Sequence, residues 1–185
     1  MRNRNHEFPD VMVDIETTDT MPDRGAIIQL AAVRFNLEKR TVDAKDMFDR
    51  CLKMPPTRRW GEDTRKWWSE QNQEVYRSIT SRAEDPGLVM KDFCTWAYPQ
   101  DSMRFWGKPT HFDFSFVASY CTDYGLHNPF HYRHANDMNS FLRGIYHPRE
   151  VDEVDFQFEG DAHNAIHDVL NQIKYLFLHC DAVGK

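Results

Sequence analysis

No stretch of the 185-residue chain approaches the roughly 20 consecutive apolar residues of a membrane span. Its amino end, MRNRNHEFPD, has no apolar segment after its arginines, so no targeting signal is legible. The expectation is a cytoplasmic protein that contacts no membrane. Cysteine is sparse. Cys51, Cys94, Cys121 and Cys180 are widely scattered, without a CxxC pair, and read as free thiols rather than a disulfide framework. There is no internal repeat and no low-complexity segment. Excess positive charge is also missing: 23 Lys and Arg stand against 29 Asp and Glu, a net charge of −6. That balance weighs against non-specific nucleic-acid binding. It does not exclude a local basic surface, since Arg50, Lys53, Arg58, Arg59, Arg65 and Lys66 cluster within one short stretch. Residues 149–161 are the acidic counterpart.

What remains is a chain rich in aromatics (14%), of a length that suggests one domain. The pattern reads as strands over 9–16, 26–36 and about 41–50, then a Pro- and Gly-bearing loop over 51–62. Helices are expected from Asp63 or Thr64, over 86–98, and over 113–124 ending at Gly125. A short strand, 102–106, precedes Gly107. A histidine-rich connection follows at 127–135, and Asp137 is placed to cap a helix over 138–145. The last helix starts near Asn164, with Ile166, Val169, Leu170, Ile173, Leu176 and Phe177 at helical spacing. Strands followed by alternating helices and strands point to an α/β domain with a mixed sheet.

A few of the acids stand where surface charge is unexpected. Asp14 and Glu16 end the apolar run Val11–Val13, and alternation puts both on one side of a strand. Asp113 lies among Phe112, Phe114 and Phe116. Asp168 lies in the opening turns of the last helix. Four converging carboxylates would repel one another, and hard divalent cations that prefer oxygen ligands remove that penalty. Two such ions can clamp the attacking and leaving oxygens of a phosphodiester. The proton of the attacking water then needs a base, and His163 is the candidate. Five helical residues turn about 500°, which would leave His163 and Asp168 about 140° apart. If Asn164 is the N-cap, His163 lies outside the helix and is free to reach over the site. Each feature alone has a plainer reading: a solvated turn, an acid facing solvent from a helix, a surface histidine.

Taken together, "DIET" at 14–17, "HFDFSF" at 111–116 and "HNAIHD" at 163–168 resemble the three motifs of the DEDD exonuclease superfamily, the last in its DEDDh form. "TRKWWSEQ" at 64–71 is similar to a stretch found in the T-even phage exonuclease A group and its prophage and mycobacterial relatives. The resemblance spans about residues 10–180, within one exonuclease domain over 1–185. It implies a ribonuclease-H-like α/β fold, a five-stranded mixed sheet flanked by helices. It implies 3′→5′ release of nucleoside monophosphates from single-stranded ends with two Mg²⁺ or Mn²⁺ ions. Asp14, Glu16 and Asp168 would ligate the metals, Asp113 would complete the site, and His163 would be the base. Glu16 and the backbone near Thr17 and Thr18 would meet the terminal 3′-hydroxyl. A phage-encoded chain would act in its host's cytoplasm. The segment "NDMNS" departs from the expected pattern, so Asp137 is read as a structural cap.

Several side chains keep two readings. Trp67 and Trp68 stack on terminal bases or belong to the core, and being adjacent they face different directions. Gln71 contacts a base or phosphate. Leu30 wedges between the last two bases or packs inside. The basic stretch over 50–66 follows a phosphate backbone or is a solvated loop. His127, His131 and His134 fit no common zinc spacing. The expected substrate is single-stranded DNA in preference to RNA. The alternatives are an exoribonuclease or oligoribonuclease, and last a non-catalytic nucleic-acid-binding module on the same fold. The oligomeric state stays open, with a homodimer among the options.

Overall fold

The apolar run at the start of the chain becomes β1, Asp10–Thr17, the centre of the sheet. The computed structural model describes residues 7–97 and 103–184. β2, Ile27–Asn36, lies antiparallel to β1 along its whole length, from Asp10 opposite Phe35 to Thr17 opposite Ile27, with a bulge between Glu16 and Thr17. The outer edge of β2 carries two short strands, β3 (Thr41–Val42) and β4 (Phe48–Cys51). On its other side β1 pairs in parallel with β5, Arg104–Gly107, and β5 with β6, Ala135–Asp137. The order is β3-β2-β1-β5-β6, with β4 beside β2.

Among the described residues, helices α1 (Glu62–Glu70), α2 (Gln73–Ser81), α3 (Pro86–Ala97), α4 (Thr110–Asp123), α5 (Met138–Tyr146) and α6 (Ala165–Ala182) flank this mixed sheet. The alternation of β1 divides the core. Val11, Val13 and Ile15 pack with Phe93 of α3 and with Phe116, Val117 and Tyr120 of α4. Met12 packs on the other face with Val33, Phe35 and Trp106, under Leu142 of α5 and Val169, Ile173 and Leu176 of α6. Asp14 and Glu16 share the parity of Met12, so they lie on the α6 side. A third cluster seats Trp68 of α1 and Val75 and Ile79 of α2 against Ile28 and Cys51.

Among the described residues the sheet has six strands where five were expected. The expected third strand is two pieces, because the chain turns at Asp43, whose carboxylate accepts from the Lys45 amide and whose carbonyl accepts from Asp46. Helix α2 was not anticipated. Its signals are modest: Val75 and Ile79 four apart, and Asn72 accepting from the Glu74 amide as N-cap. Strand β6 falls within and just beyond the expected histidine-rich connection, since its three residues extend only to meet β5. Helix α4 begins three residues earlier than expected, at Thr110. The calls on Tyr98 and Ser102 lie outside the described residues. Asp137 is the expected cap: it accepts from the Ser140 amide, and also from Thr110, joining the starts of α5 and α4. The four cysteines are free thiols. Among the described residues no helix is long and apolar enough to cross a membrane.

One carboxylate fastens the start of the sheet. Asp10 is fully buried and accepts from Arg104 at 2.6 and 2.8 Å, from the Trp106 indole at 2.7 Å and from the Leu37 amide at 3.3 Å. It therefore ties β1 to β5 and to the turn after β2. Asp10→Ala would strand the buried Trp106 N–H, and a buried donor without a partner costs about 1–3 kcal/mol. Urea unfolding should show that loss, with Asp10→Asn recovering part of it.

Candidate active site

Strand β1 outruns its neighbour. It pairs with β5 only over Asp10–Met12, and β5 stops at Gly107. The last residues of β1 therefore border an opening that the starts of α4 and α6 close from either side. Asp14 and Glu16 come from β1, Asp113 from the first turn of α4, and Asp168 from the first turn of α6. Carboxylates in a first helical turn are favoured by the partial positive charge of the unpaired amides there.

Carboxylate oxygens of Asp14, Glu16 and Asp168 lie within 4.8 Å of one another. Asp113 stands behind them, 3% exposed. A Cβ on Gly107 would sit 2.7 Å from Asp113 Oδ2, so only glycine at 107 lets Asp113 approach this closely. Gln172, one helical turn beyond Asp168, donates from Nε2 to Asp14 Oδ1 at 2.8 Å. Asp168 Oδ2 is buried and has no hydrogen-bond partner. Burial, then the nearby Asp168 charge, push Asp14 from 3.8 up to about 8. Burial and Asp14 raise Glu16 and Asp113 well above the usual carboxylate range. Burial raises Asp168 too, against the opposing pull of His163. A group of acids in this state is short of positive charge. An orphaned buried oxygen and an oxygen-only donor set fit a hard divalent cation.

His163 sits just before α6 with φ 62°, in the left-handed region. That turn lifts the ring out of the helix, and it meets the Trp67 ring edge-on with centroids 4.7 Å apart. Asn164 occupies the N-cap position as expected, but its side chain does not cap the helix. The cap comes from β2. Gln29, fully buried opposite Glu16, accepts from the Ala165 amide at 3.0 Å and donates to Asn164 Oδ1 at 2.9 Å. Gln29 was not anticipated, nor was Gln172. An isolated glutamine in a strand or a helix carries no motif, and only the fold shows what it faces.

A cavity of about 430 Å³ adjoins the carboxylates on the Glu16 side. Glu16, Thr17, Thr20, Thr64, Trp67 and Phe112 are among its walls. The two tryptophans divide as their adjacency suggests. Trp68 is buried and donates to the Thr17 carbonyl at 3.0 Å, while Trp67 is 37% exposed.

Other expected contacts move elsewhere. Leu30 is fully buried in the core and has no face to offer a base, so the wedge reading is corrected. Thr18 is also fully buried. Its hydroxyl accepts from the Ala26 amide and donates to the Arg59 carbonyl, and its own amide and carbonyl are bonded to Ala26 and Gly61. Thr18 therefore builds the turn and has no group left for a ligand. Gln71 donates back to the Trp67 carbonyl at the end of α1. The basic stretch is partly neutralised. Arg50 pairs with Glu84 and Asp92, and buried Arg58 pairs with Asp123 and lies over the Tyr120 ring. Among the described residues no histidine cluster gathers as a metal site, and His131 Nδ1 accepts from the Arg133 amide.

The sequence model of the 3'-5' exoribonuclease Rv2179c-like domain matches residues 9–178. A comparison with curated proteins finds no match. Among solved structures, the chain is similar to the zinc-bound E. coli exonuclease I complex with single-stranded DNA, with a TM-score of 0.72 at 15% identity. That likeness covers 94% of this chain and 40% of the other. Exonuclease I from Methylocaldum szegediense gives a TM-score of 0.69 at 15% identity, covering 95% and 41%. Cell-death related nuclease 4 gives 0.62 at 18%, covering 96% and 65%. The chain thus spans about two fifths of the exonuclease I structures, and at these identities the likeness establishes the fold. With the four acids, the histidine and the sheet order in place, the chain belongs to the 3'-5' exoribonuclease Rv2179c-like domain family, of DEDDh exonuclease type and ribonuclease-H-like fold.

Proposed function

We propose that this domain hydrolyses the last phosphodiester bond at the 3′ end of single-stranded nucleic acid and releases nucleoside monophosphates. One observation carries the reading: three carboxylates from two elements meet within 4.8 Å, beside a cavity of about 430 Å³. A cavity of that size suits one nucleoside. Asp14, Glu16 and Asp168, backed by Asp113, would hold two magnesium or manganese ions, which when bound supply a clamp for the attacking and leaving oxygens.

The chain's own residues do the rest. Glu16 and the wall at Thr17 meet the terminal sugar, and Trp67 offers a face to the base, a contact worth about 1–3 kcal/mol. Trp68, bonded to the Thr17 carbonyl, holds that wall to α1. His163 takes the proton of the attacking water, from outside the helix and beside the cavity. Gln29 sets the turn that carries His163, and Gln172 turns Asp14 so that its second oxygen is left for the cation.

DNA is the first reading for the substrate, because the matched E. coli exonuclease I structures hold single-stranded DNA. RNA is the second, because the family's description names an exoribonuclease. DNA and RNA oligonucleotides of one sequence, labelled at the 3′ end and incubated in magnesium, separate the two. Mononucleotide release that chelator abolishes is expected, and a total lack of release would refute the proposal. Asp14→Asn should abolish turnover. His163→Ala should slow it about 10²–10⁴-fold, the usual worth of a general base.

Stability should follow the same site. Without a cation, the folded protein keeps a proton on Asp14 between pH 3.8 and about 8, and the unfolded chain does not. Stability of the chelated protein therefore falls as pH rises through that window. A bound cation favours the ionised carboxylates. Magnesium or manganese should raise the melting temperature more at pH 8 than at pH 5, and Asp14→Asn should flatten that difference.

A further inference from the structure

Two of the free thiols stand together. Cys94 of α3 and Cys121 of α4 are 27 positions apart in the chain, yet their sulfurs are in contact at 3.8 Å. Cys51 and Cys180 are buried in two other clusters of the core.

The helices are held where these sulfurs meet. The chain leaves α4 through Gly125 at φ 63°, and the Leu126 amide donates to the Cys121 carbonyl at 2.8 Å. That closure pins the last turn of α4. Phe93, beside Cys94, and Tyr120, beside Cys121, are fully buried in one cluster. A Cβ on Gly87, in the first turn of α3, would lie 3.1 Å from the Tyr124 ring, so the two helices also touch there.

The pair is asymmetric. Cys121 is 2% exposed, while Cys94 is half-buried. The ionised sulfur is the reactive form, and burial disfavours it. The Cys121 thiol beside Cys94 holds it below the ordinary thiol value. Burial pushes Cys51 up to about 11 and raises Cys180. A small oxidant therefore meets Cys94 first and finds Cys121 directly behind it.

We infer that Cys94 and Cys121 form an oxidation site, at which hydrogen peroxide converts the two thiols into a disulfide joining α3 to α4. The Cys94 thiolate attacks one peroxide oxygen and the O–O bond breaks. Cys94 then carries a sulfenic acid, and the departing hydroxide leaves as water with the thiol's proton. The Cys121 sulfur attacks the Cys94 sulfur, the S–S bond forms, and the sulfenic oxygen leaves as a second water with the Cys121 proton. The two sulfurs together lose two electrons, and the peroxide gains them. From 3.8 Å the sulfurs must close by roughly 1.8 Å to reach bonding distance. The bond closes a loop that contains β5 and most of α4, which restrains the unfolded chain. Helix α4 also carries Asp113, so the staple braces one wall of the carboxylate cleft.

Peroxide treatment of the folded, reduced protein tests this. Two of the four thiols should be lost, and the intact mass should fall by two hydrogen atoms. A proteolytic map without reductant should show the Cys94 and Cys121 peptides joined, and a dithiol reductant should separate them. Oxidation should raise Tm by about 5–10 °C, reversibly. Cys94→Ser should abolish both the thiol loss and the Tm rise. Cys121→Ala should leave Cys94 to gain oxygen instead of a partner. Cys51→Ala and Cys180→Ala should leave the reaction intact. The site is overturned if no thiol is lost, if the bond forms between two copies of the chain, or if it involves Cys51 or Cys180. Oxygen added to Cys94 of the wild type with Cys121 still free, or a Tm that fails to rise, would overturn it too.

Discussion

Four carboxylates crowded into one cleft cannot all carry their charge unless something positive joins them. Much of the rest of the structure is arranged around that constraint. Asp14 and Glu16 reach the cleft because β1 continues past the end of β5. Asp113 and Asp168 reach it because α4 and α6 both begin there, and a helix start is where a carboxylate is best tolerated. Burial holds all four above their ordinary values, and repulsion from a neighbouring carboxylate adds to it at Asp14, Glu16 and Asp113, so the cleft favours a cation at this one place.

The supports of the cleft are polar and mostly hidden. Gln29 spends its whole amide on the loop side of α6 and on Asp49, and so decides where His163 emerges. Gln172 reaches from the same helix to Asp14. Trp68 binds α1 to the Thr17 carbonyl, and that bond sets one wall of the cavity beside the carboxylates. Each of these joins two elements that are distant in the chain. A single helix, α6, carries Asp168 and Gln172, receives the Gln29 cap, and anchors the acidic segment through His167, Asn171 and Lys174. Movement of α6 would disturb Asp168, Gln172 and the turn that carries His163 together.

What could be read in advance followed from local patterns. Apolar runs marked β1 and β2, and helical spacing marked α6. Turn residues marked the stops at Gly107 and Gly125. The missed pieces had weak local signals. Strand β6 is three residues long and exists because β5 offers it a partner. Helix α2 reads QEVYRSITS, with three β-branched residues that carry no strong helical preference, and it is held by Val75 and Ile79 against Ile28 and Cys51. Leu30 looked equally suited to a base or a core, because an apolar side chain does not state which face it will occupy. Arg58 suited a phosphate contact or a solvated loop equally and became a buried partner of Asp123, because its neighbour across the fold is 65 residues away.

The sequence by itself determined the family resemblance and the candidate groups: three acidic motifs, a histidine five residues before the last acid, and an aromatic pair at 67 and 68. Those are statements about residue type and spacing along the chain, and local rules of strand and helix suffice to make them. The tertiary structure decided which of those side chains meet and which groups hold them. Gln29, Gln172 and Gly107 acquire their places only when β2, α6 and β5 come together, since hydrogen bonds and close approaches depend on distance in space and carry no signature along the chain.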